Sequence, residues 1–179
     1  MKTLRLLLFE ACNRKCPGCC NKDWNLGGLP VASSFKGYKE IILTGGEPML
    51  RPHLIKQVAD RIREDTTAKI YVYTAKVDDI KEALSVLESV DGLTVTLHEP
   101  ADLEPFRRFD AARKARGIEG KSLRLNIFFN VETIQPEGWK VKAGIEWIKD
   151  CPLPSNEVFM RFAPKAVLTY APKPALIEA

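Results

Sequence analysis

Apolar residues along the chain fall into two alternating patterns. Short runs rich in β-branched and aromatic residues read as strands: Leu4–Phe9, Glu40–Thr44, Lys69–Thr74, Leu93–His98, Leu123–Asn130 and Val158–Phe162. Between them apolar residues recur every three or four positions, as in one face of a helix. Leu54, Val58 and Ile62 form one such face, and Ile80, Leu84 and Val86-Leu87 a second. Leu103–Ala115 is charged and amphipathic, with Phe106 and Phe109 on one side. Trp139–Ile148 reads as a further helix, with Val141, Ile145 and Ile148 on one face. The first crossover differs: Asn21–Gly37 carries Gly27-Gly28, Pro30 and Ser33-Ser34 and reads as a loop. No internal repeat is visible. From Pro172-Lys173-Pro174 onward the chain reads as an extended tail, so the expected organisation is a core domain over 1–165 and a tail over 166–179.

Alternating strands and helices predict an α/β fold with a parallel sheet and right-handed crossovers. Six parallel strands are too few for a closed eight-stranded barrel and suit an open or partial one. In either form the reactive site belongs at the C-terminal ends of the strands. The distinctive residues fall there. A cysteine cluster follows the first strand and a glycine pair the second, while Thr74 ends the third and His98 the fourth.

Composition narrows the class. The 179 residues suit one domain, and 45% hydrophobic with 28% charged residues is too apolar for a disordered chain. No apolar run approaches the ~18 residues of a membrane span. The opening Met1–Phe9 has too short an apolar core for a secretory signal, Glu10 interrupts it and no small-residue cleavage site follows, so a cytoplasmic location is expected. The net charge of +4 is mild and its Lys and Arg are dispersed. An anionic partner is admissible, and nucleic acid is not expected.

Cys12, Cys16, Cys19 and Cys20 stand close together, and only Cys151 lies elsewhere. A disulfide scaffold spreads its cysteines, so packed thiols in a reducing compartment point to a metal. Cys12-Asn13-Arg14-Lys15-Cys16-Pro17-Gly18-Cys19 has the spacing C-x3-C-x2-C. Three thiolates on one tight loop can hold three corners of a cubane iron–sulfur cluster. If only three bind, one iron stays open, the mark of a metal that does chemistry. Arg14 and Lys15 would offset the thiolate charge. A structural zinc site completed by Cys20 or Cys151 is the competing reading, although such sites usually draw on two separated pairs. Cys20, next to Cys19, reads as spare, and Cys151 as a partly buried thiol before Pro152. The second motif is Thr44-Gly45-Gly46-Glu47-Pro48, where two glycines after a strand let backbone approach a ligand closely.

Together, Cys12-x3-Cys16-x2-Cys19 and Gly45-Gly46-Glu47-Pro48 resemble the radical SAM superfamily. The resemblance implies a six-stranded parallel partial (β/α)6 barrel. It implies a [4Fe-4S] cluster on the three cysteines and S-adenosylmethionine on the fourth iron, its methionyl amine at the Gly-Gly-Glu-Pro turn. Reductive cleavage of that cofactor to a 5′-deoxyadenosyl radical, which takes a hydrogen atom from substrate, would be the reaction. The implied cofactor-binding residues are Gly18, Gly45, Gly46, Glu47, Pro48, Thr74, His98, Asn126, Asn130 and Arg161, with Cys12, Cys16 and Cys19 on the metal. Arg161 would pair with the cofactor carboxylate or a substrate anion. Asn130 as a turn cap and His98 as a loop residue are the plainer readings.

A narrower resemblance covers about the first 76 residues. Cys16-Pro17-Gly18-Cys19-Cys20-Asn21-Lys22-Asp23-Trp24 is similar to the cluster loop of anaerobic ribonucleotide reductase activating proteins, as are Arg61-Ile62-Arg63 and Ile70-Tyr71-Val72-Tyr73-Thr74. Gly18 stands where most of the superfamily has an aromatic, as it does in those activases. They usually carry Asp where this chain has Glu47, and no further match follows Thr74. The partners implied are a reductant such as flavodoxin or ferredoxin and a glycyl-radical enzyme or other extended substrate. A small-molecule or nucleotide-modifying radical enzyme is the alternative within that chemistry. A zinc-stabilised binding module and an electron carrier are alternatives outside it, and both leave the glycine turn unexplained. Trp24 and Tyr38 are expected to cover the cluster loop, and Arg107–Arg116 to form a solvated face. With little chain left for a cap, the site is expected to be open on one side.

Overall fold

In a computed structural model that describes residues 2–148 and 150–163, seven strands hydrogen-bond into one sheet, all parallel. The strands are β1 (Lys2–Leu7), β2 (Tyr38–Thr44), β3 (Lys69–Thr74), β4 (Gly92–Leu97), β5 (Ser122–Phe128), β6 (Lys140–Ile145) and β7 (Glu157–Arg161). Three helices connect the middle of the series: α1 (Pro52–Asp65), α2 (Ile80–Ser89) and α3 (Leu103–Ala115). The spatial order is β6-β5-β4-β3-β2-β1-β7. Each crossover from β1 to β6 steps the same way, so right-handed connections lay α1, α2 and α3 side by side on one face.

Alternation makes that face the core. Leu4, Leu6, Ile41, Leu43, Ile70, Val72, Leu93, Val95, Leu125 and Ile127 are all buried there, against Ile55, Val58, Ile62, Val86, Leu87, Phe106 and Phe109 from the helices. Each such side chain removed from water contributes roughly 1.5–3 kcal/mol before entropy is charged. The first crossover is a loop, as its sequence predicts, with two single 3-10 turns at Cys20–Lys22 and Leu26–Gly28. It replaces a helix by burying Ala32 and Phe35, and Asp65 at the end of α1 accepts the Phe35 amide at 2.9 Å.

Two expectations are overturned. Among the described residues the strand count is seven rather than six, because Trp139–Ile148 holds β6 instead of a helix. Gly144 sits at φ 67°, a left-handed conformation that no helix interior adopts. The i, i+4 spacing of Val141 and Ile145 spans an irregularity in the β5–β6 register instead of a helical turn. Trp139 is buried before the strand, edge-on to Phe106 at 4.9 Å, its indole N–H donating to Asp110 at 2.7 Å. The Arg107–Arg116 segment is also not a uniform solvated face. Arg113 is buried, donating to Asp110 and to the Ile118 carbonyl. The expected boundary at 165 and the 166–179 tail lie outside the described residues. Among the described residues no helix is long and apolar enough to cross a membrane.

Residues 146–156 join β6 at one edge to β7 beyond the other. The described residues of this strap cross over the C-terminal ends of the strands, where Trp147 packs on the residues after β4 and at the end of β5. The chain then reaches β1, whose Thr3 amide donates to Asn156.

Candidate metal and cofactor site

The loop after β1 and the turn after β2 are one unit. Beyond the strands, the Leu8 amide donates to Thr44, the Gly46 amide to Phe9 and the Glu47 amide to Ala11, at 2.9–3.0 Å. A Cβ on Gly46 would press into the carbonyl oxygens of Glu10 and Ala11, and one on Gly45 would lie 2.9 Å from the Phe9 oxygen. The glycines therefore admit the chain's own backbone at the entry to the cysteine loop. On its return, Asn21 closes the loop by donating from Nδ2 to the Gly45 carbonyl at 3.0 Å.

Glu47 is 3% exposed. Its Oε1 accepts from the Thr74 hydroxyl at 2.6 Å and the Met49 amide at 2.9 Å, and its Oε2 from the Ala75 amide at 2.9 Å. Burial pushes this carboxyl's pKa up, and the hydrogen bonds from Thr74, Ala75 and Met49 pull against that rise. Glu47 thus ties the glycine turn to the end of β3. Pro48 is buried and opens the short turn that leads to α1.

Arg14, within the cysteine loop, reaches the same place. Its Nη1 donates to Asp102 Oδ2 at 2.9 Å, and its Nη2 to Asp102 Oδ1 and to the Ala75 carbonyl. Asp102 is buried, and its Oδ2 also accepts the backbone amides of His98 and Glu99. The hydrogen bond to Asp102 raises the Arg14 pKa against the cost of burial. The peptide of Ala75 thus takes Glu47 on its N–H and Arg14 on its C=O, which couples the two motifs to the end of β3.

His98 follows β4. Its ring stacks on Trp147 at 5.2 Å with the planes 2° apart, and Phe128 lies 4.8 Å away. Burial, then the Arg14 cation, lowers its pKa, so His98 is held neutral. Trp147 also covers Gly18, where an added Cβ would meet Trp147 Cβ at 2.6 Å. The site is therefore partly roofed by the chain's own strap, a cap that the sequence did not predict.

Cys12 is exposed, Cys16 and Cys19 are half-buried, and all three are free thiols. Burial, followed by repulsion from Cys19, raises the Cys16 pKa. Among the described residues no three His, Cys, Asp or Glu side chains already converge as a metal site. Cys20 and Cys151 correct an expectation. They are neither spare nor a lone thiol but are joined to each other, with Cα atoms 5.3 Å apart. A bond across 131 residues was not legible from Cys20, which sits beside Cys19 in the cysteine cluster, and a single distant Cys151. It fastens the strap to the cysteine loop, and Trp24 adds to it by donating from its indole to the Cys151 carbonyl at 2.9 Å.

The other expected residues divide. Gly18, Gly45, Gly46, Glu47, Pro48, Thr74 and His98 gather around the cysteine loop. Thr74 shares the alternation of the buried Ile70 and Val72, so it holds Glu47 and does not face the helix-free side. Asn126 lies on that side, beside Thr96. Asn130 is exposed in a turn. Arg161 at the β7 edge donates to the Leu29 carbonyl at 3.2 Å and so holds the first crossover. Tyr38 begins β2 at the opposite end of the sheet, beside Met160, and does not cover the cysteine loop. Asp102 and Trp147 were missed. The Glu99-x-x-Asp102 spacing of a capping box signals Asp102 weakly, and nothing in the sequence signals Trp147.

A [4Fe-4S] cluster and S-adenosylmethionine fit these residues on two observations. The only three free thiols share one loop, and two buried polar atoms at its side, Arg14 Nε and His98 Nδ1, have no partner among the described residues. Buried polar atoms without partners are rare and ask for a ligand or water. No protein-family model matches the chain, and no curated protein matches it.

Proposed function

We propose that this chain is a radical SAM enzyme. The observation that carries the reading is the joining of Cys12-x3-Cys16-x2-Cys19 to Gly45-Gly46-Glu47-Pro48 through one peptide at the end of β3. Cys12, Cys16 and Cys19 would hold the cluster. When bound, the cluster and S-adenosylmethionine supply one-electron cleavage and a radical able to take hydrogen from substrate. The chain's own contribution is positional. Glu47 and Arg14 fix the two loops, Arg14 Nε and His98 Nδ1 offer polar atoms to a ligand, and the Trp147 strap excludes water.

The loop around Gly18 supports activation of a glycyl-radical enzyme as the specific reaction, with a flavodoxin- or ferredoxin-type reductant. A specific observation favours a small-molecule or nucleotide substrate instead: the strap already roofs the mouth that a large partner would have to enter.

The test is anaerobic reconstitution with iron and sulfide. The expected product is brown, with about four irons per chain, and it releases 5′-deoxyadenosine and methionine from S-adenosylmethionine with dithionite. Cys12→Ala, Cys16→Ala and Cys19→Ala each abolish assembly, whereas Cys20→Ala and Cys151→Ala retain it. A colourless protein holding one zinc overturns the proposal.

A further inference from the structure

Among the described residues the helices cover one face of the sheet and none lies on the other. On the covered face the central strands carry buried aliphatic side chains, apart from Thr74 at the end of β3. On the opposite face the same strands carry Tyr71, Tyr73, Thr94, Thr96, Arg124 and Asn126. The inner positions of a closed parallel barrel are filled mostly with bulky branched apolar residues. Hydroxyls, an amide and a guanidinium in those positions mark a face built to meet something polar.

The register sorts these groups into two rows. Thr94, Arg124 and Lys140 lie side by side across β4, β5 and β6, and Thr96, Asn126 and Lys142 lie side by side in the next row. Adjacent strands are about 4.8 Å apart and alternate residues about 6.7 Å. Arg124, Lys140 and Lys142 therefore stand within one another's reach. All three are exposed, and none forms an ion pair among the described residues. Of the carboxylates on this face, Glu157 is held by Arg5 at 2.7 Å, and Glu40 on β2 lines the same notch as Arg124 without forming an ion pair with it, on the far side from Lys140 and Lys142. Lysines on an edge strand such as β6 also discourage edge-to-edge pairing. That role does not account for Arg124 on an interior strand, where it shares a notch with Glu40, Tyr71, Tyr73 and Thr94.

We propose that Arg124, Lys140 and Lys142 bind the phosphate of a small phosphorylated substrate. The rest of that substrate lies along Asn126 and Thr96 toward the cysteine-loop end of the sheet. A phosphate monoester carries close to two negative charges and three acceptor oxygens, which suits one planar guanidinium fork and two ammonium groups. The hydroxyl and amide side chains suit a polyol or a heterocycle. The assignment of this ligand as substrate rests on the radical SAM reading, whereas the anion site stands on the register alone.

The experiment is calorimetric titration of the full chain with inorganic phosphate and with ribose 5-phosphate, at fixed ionic strength and without reconstituted cluster. Both are expected to bind saturably, ribose 5-phosphate more tightly. Arg124→Gln with Lys142→Gln should weaken both roughly tenfold or more, because two of three charge-assisted contacts go. Lys56→Gln, on the helical side, should change neither, and circular dichroism checks that each variant is folded. Citrate at the same ionic strength separates the anion classes. Tighter binding of citrate than of either phosphate overturns the assignment, as does absence of saturable binding or an unchanged affinity in the double variant. Cluster assembly is scored separately in the same variants. A chain that binds ribose 5-phosphate but never assembles a cluster keeps this site and sinks the radical reading. The reverse pattern sinks the site and keeps the reading.

Discussion

Arg14 stands between two cysteines, yet its strongest contact is with a carboxylate 88 residues away. Read from sequence, its charge offsets thiolates; folded, it is forked onto Asp102, with Cys16 a minor influence. Asp102→Ala strands Arg14 and two backbone amides, and the partly exposed pair should cost roughly 2–3 kcal/mol. Thermal unfolding with the iron content of the reconstituted protein checks this, and unchanged values in both would show that the pair positions nothing. Gly46 was legible as a position that rejects a side chain, but for the wrong neighbour. Its close contact is the Glu10 and Ala11 backbone, so Gly46→Val is expected to lose cluster assembly itself and not only cofactor cleavage. An iron content equal to wild type would return the turn to a purely ligand-facing role. His98 gives a pH dependence. Its folded pKa is depressed by burial, so the unfolded chain takes up the proton first as pH falls. Stability is full above about pH 6.5 and declines below it. His98→Phe, which keeps an aromatic against Trp147, should flatten that decline in urea unfolding at pH 7.5 and 5.5. Equal declines would place the titrating group elsewhere.

At the scale of elements, the sequence was readable where one period dominated. Lys69–Thr74 and Leu103–Ala115 have the bounds that alternation and amphipathicity predict, because one buried face decides each. β6 was not readable, since it is short, mostly exposed and interrupted by Gly144, so burial imposes little pattern on it. Its neighbour Trp139 is the strong signal, pinned between Phe106, Phe109 and Asp110. Trp139→Ala should cost about 3–5 kcal/mol. Trp139→Phe keeps most of the packing and loses only the indole hydrogen bond, about 1 kcal/mol. Equal losses for the two would mean that the hydrogen bond to Asp110 dominates over packing at the α3–β6 contact.

Across the whole molecule, crossovers that step in one direction put the helices on one side, and the one long return, residues 146–156, must then pass over the strand ends from β6 to β7. The topology therefore supplies a cover that counting residues did not reveal. The sequence showed both motifs on one end of the sheet. It could not show that Trp147 and Cys151 would come back over them, because the apparent helical spacing of Trp139–Ile148 misplaces Trp147 and Cys151 lies outside any periodic segment. Besides the Trp24 hydrogen bond to its backbone, two of the strap's own side chains are attached: Trp147 stacked on His98, and Cys151 bonded to Cys20. The bond predicts a thiol count. In the folded, unreduced chain an alkylating reagent should label Cys12, Cys16 and Cys19 alone, and after denaturation and reduction all five cysteines should carry it. Mass spectrometry reads the difference. The two attachments can then be weighed by limited proteolysis of the strap. If the bond carries most of the restraint, mild reduction accelerates cleavage within 146–156 and Trp147→Ala without reductant does not. If the aromatic stack carries it, the order reverses. Five thiols labelled in the folded, unreduced chain would show that the stack and the Trp24 hydrogen bond hold the cover without a covalent link.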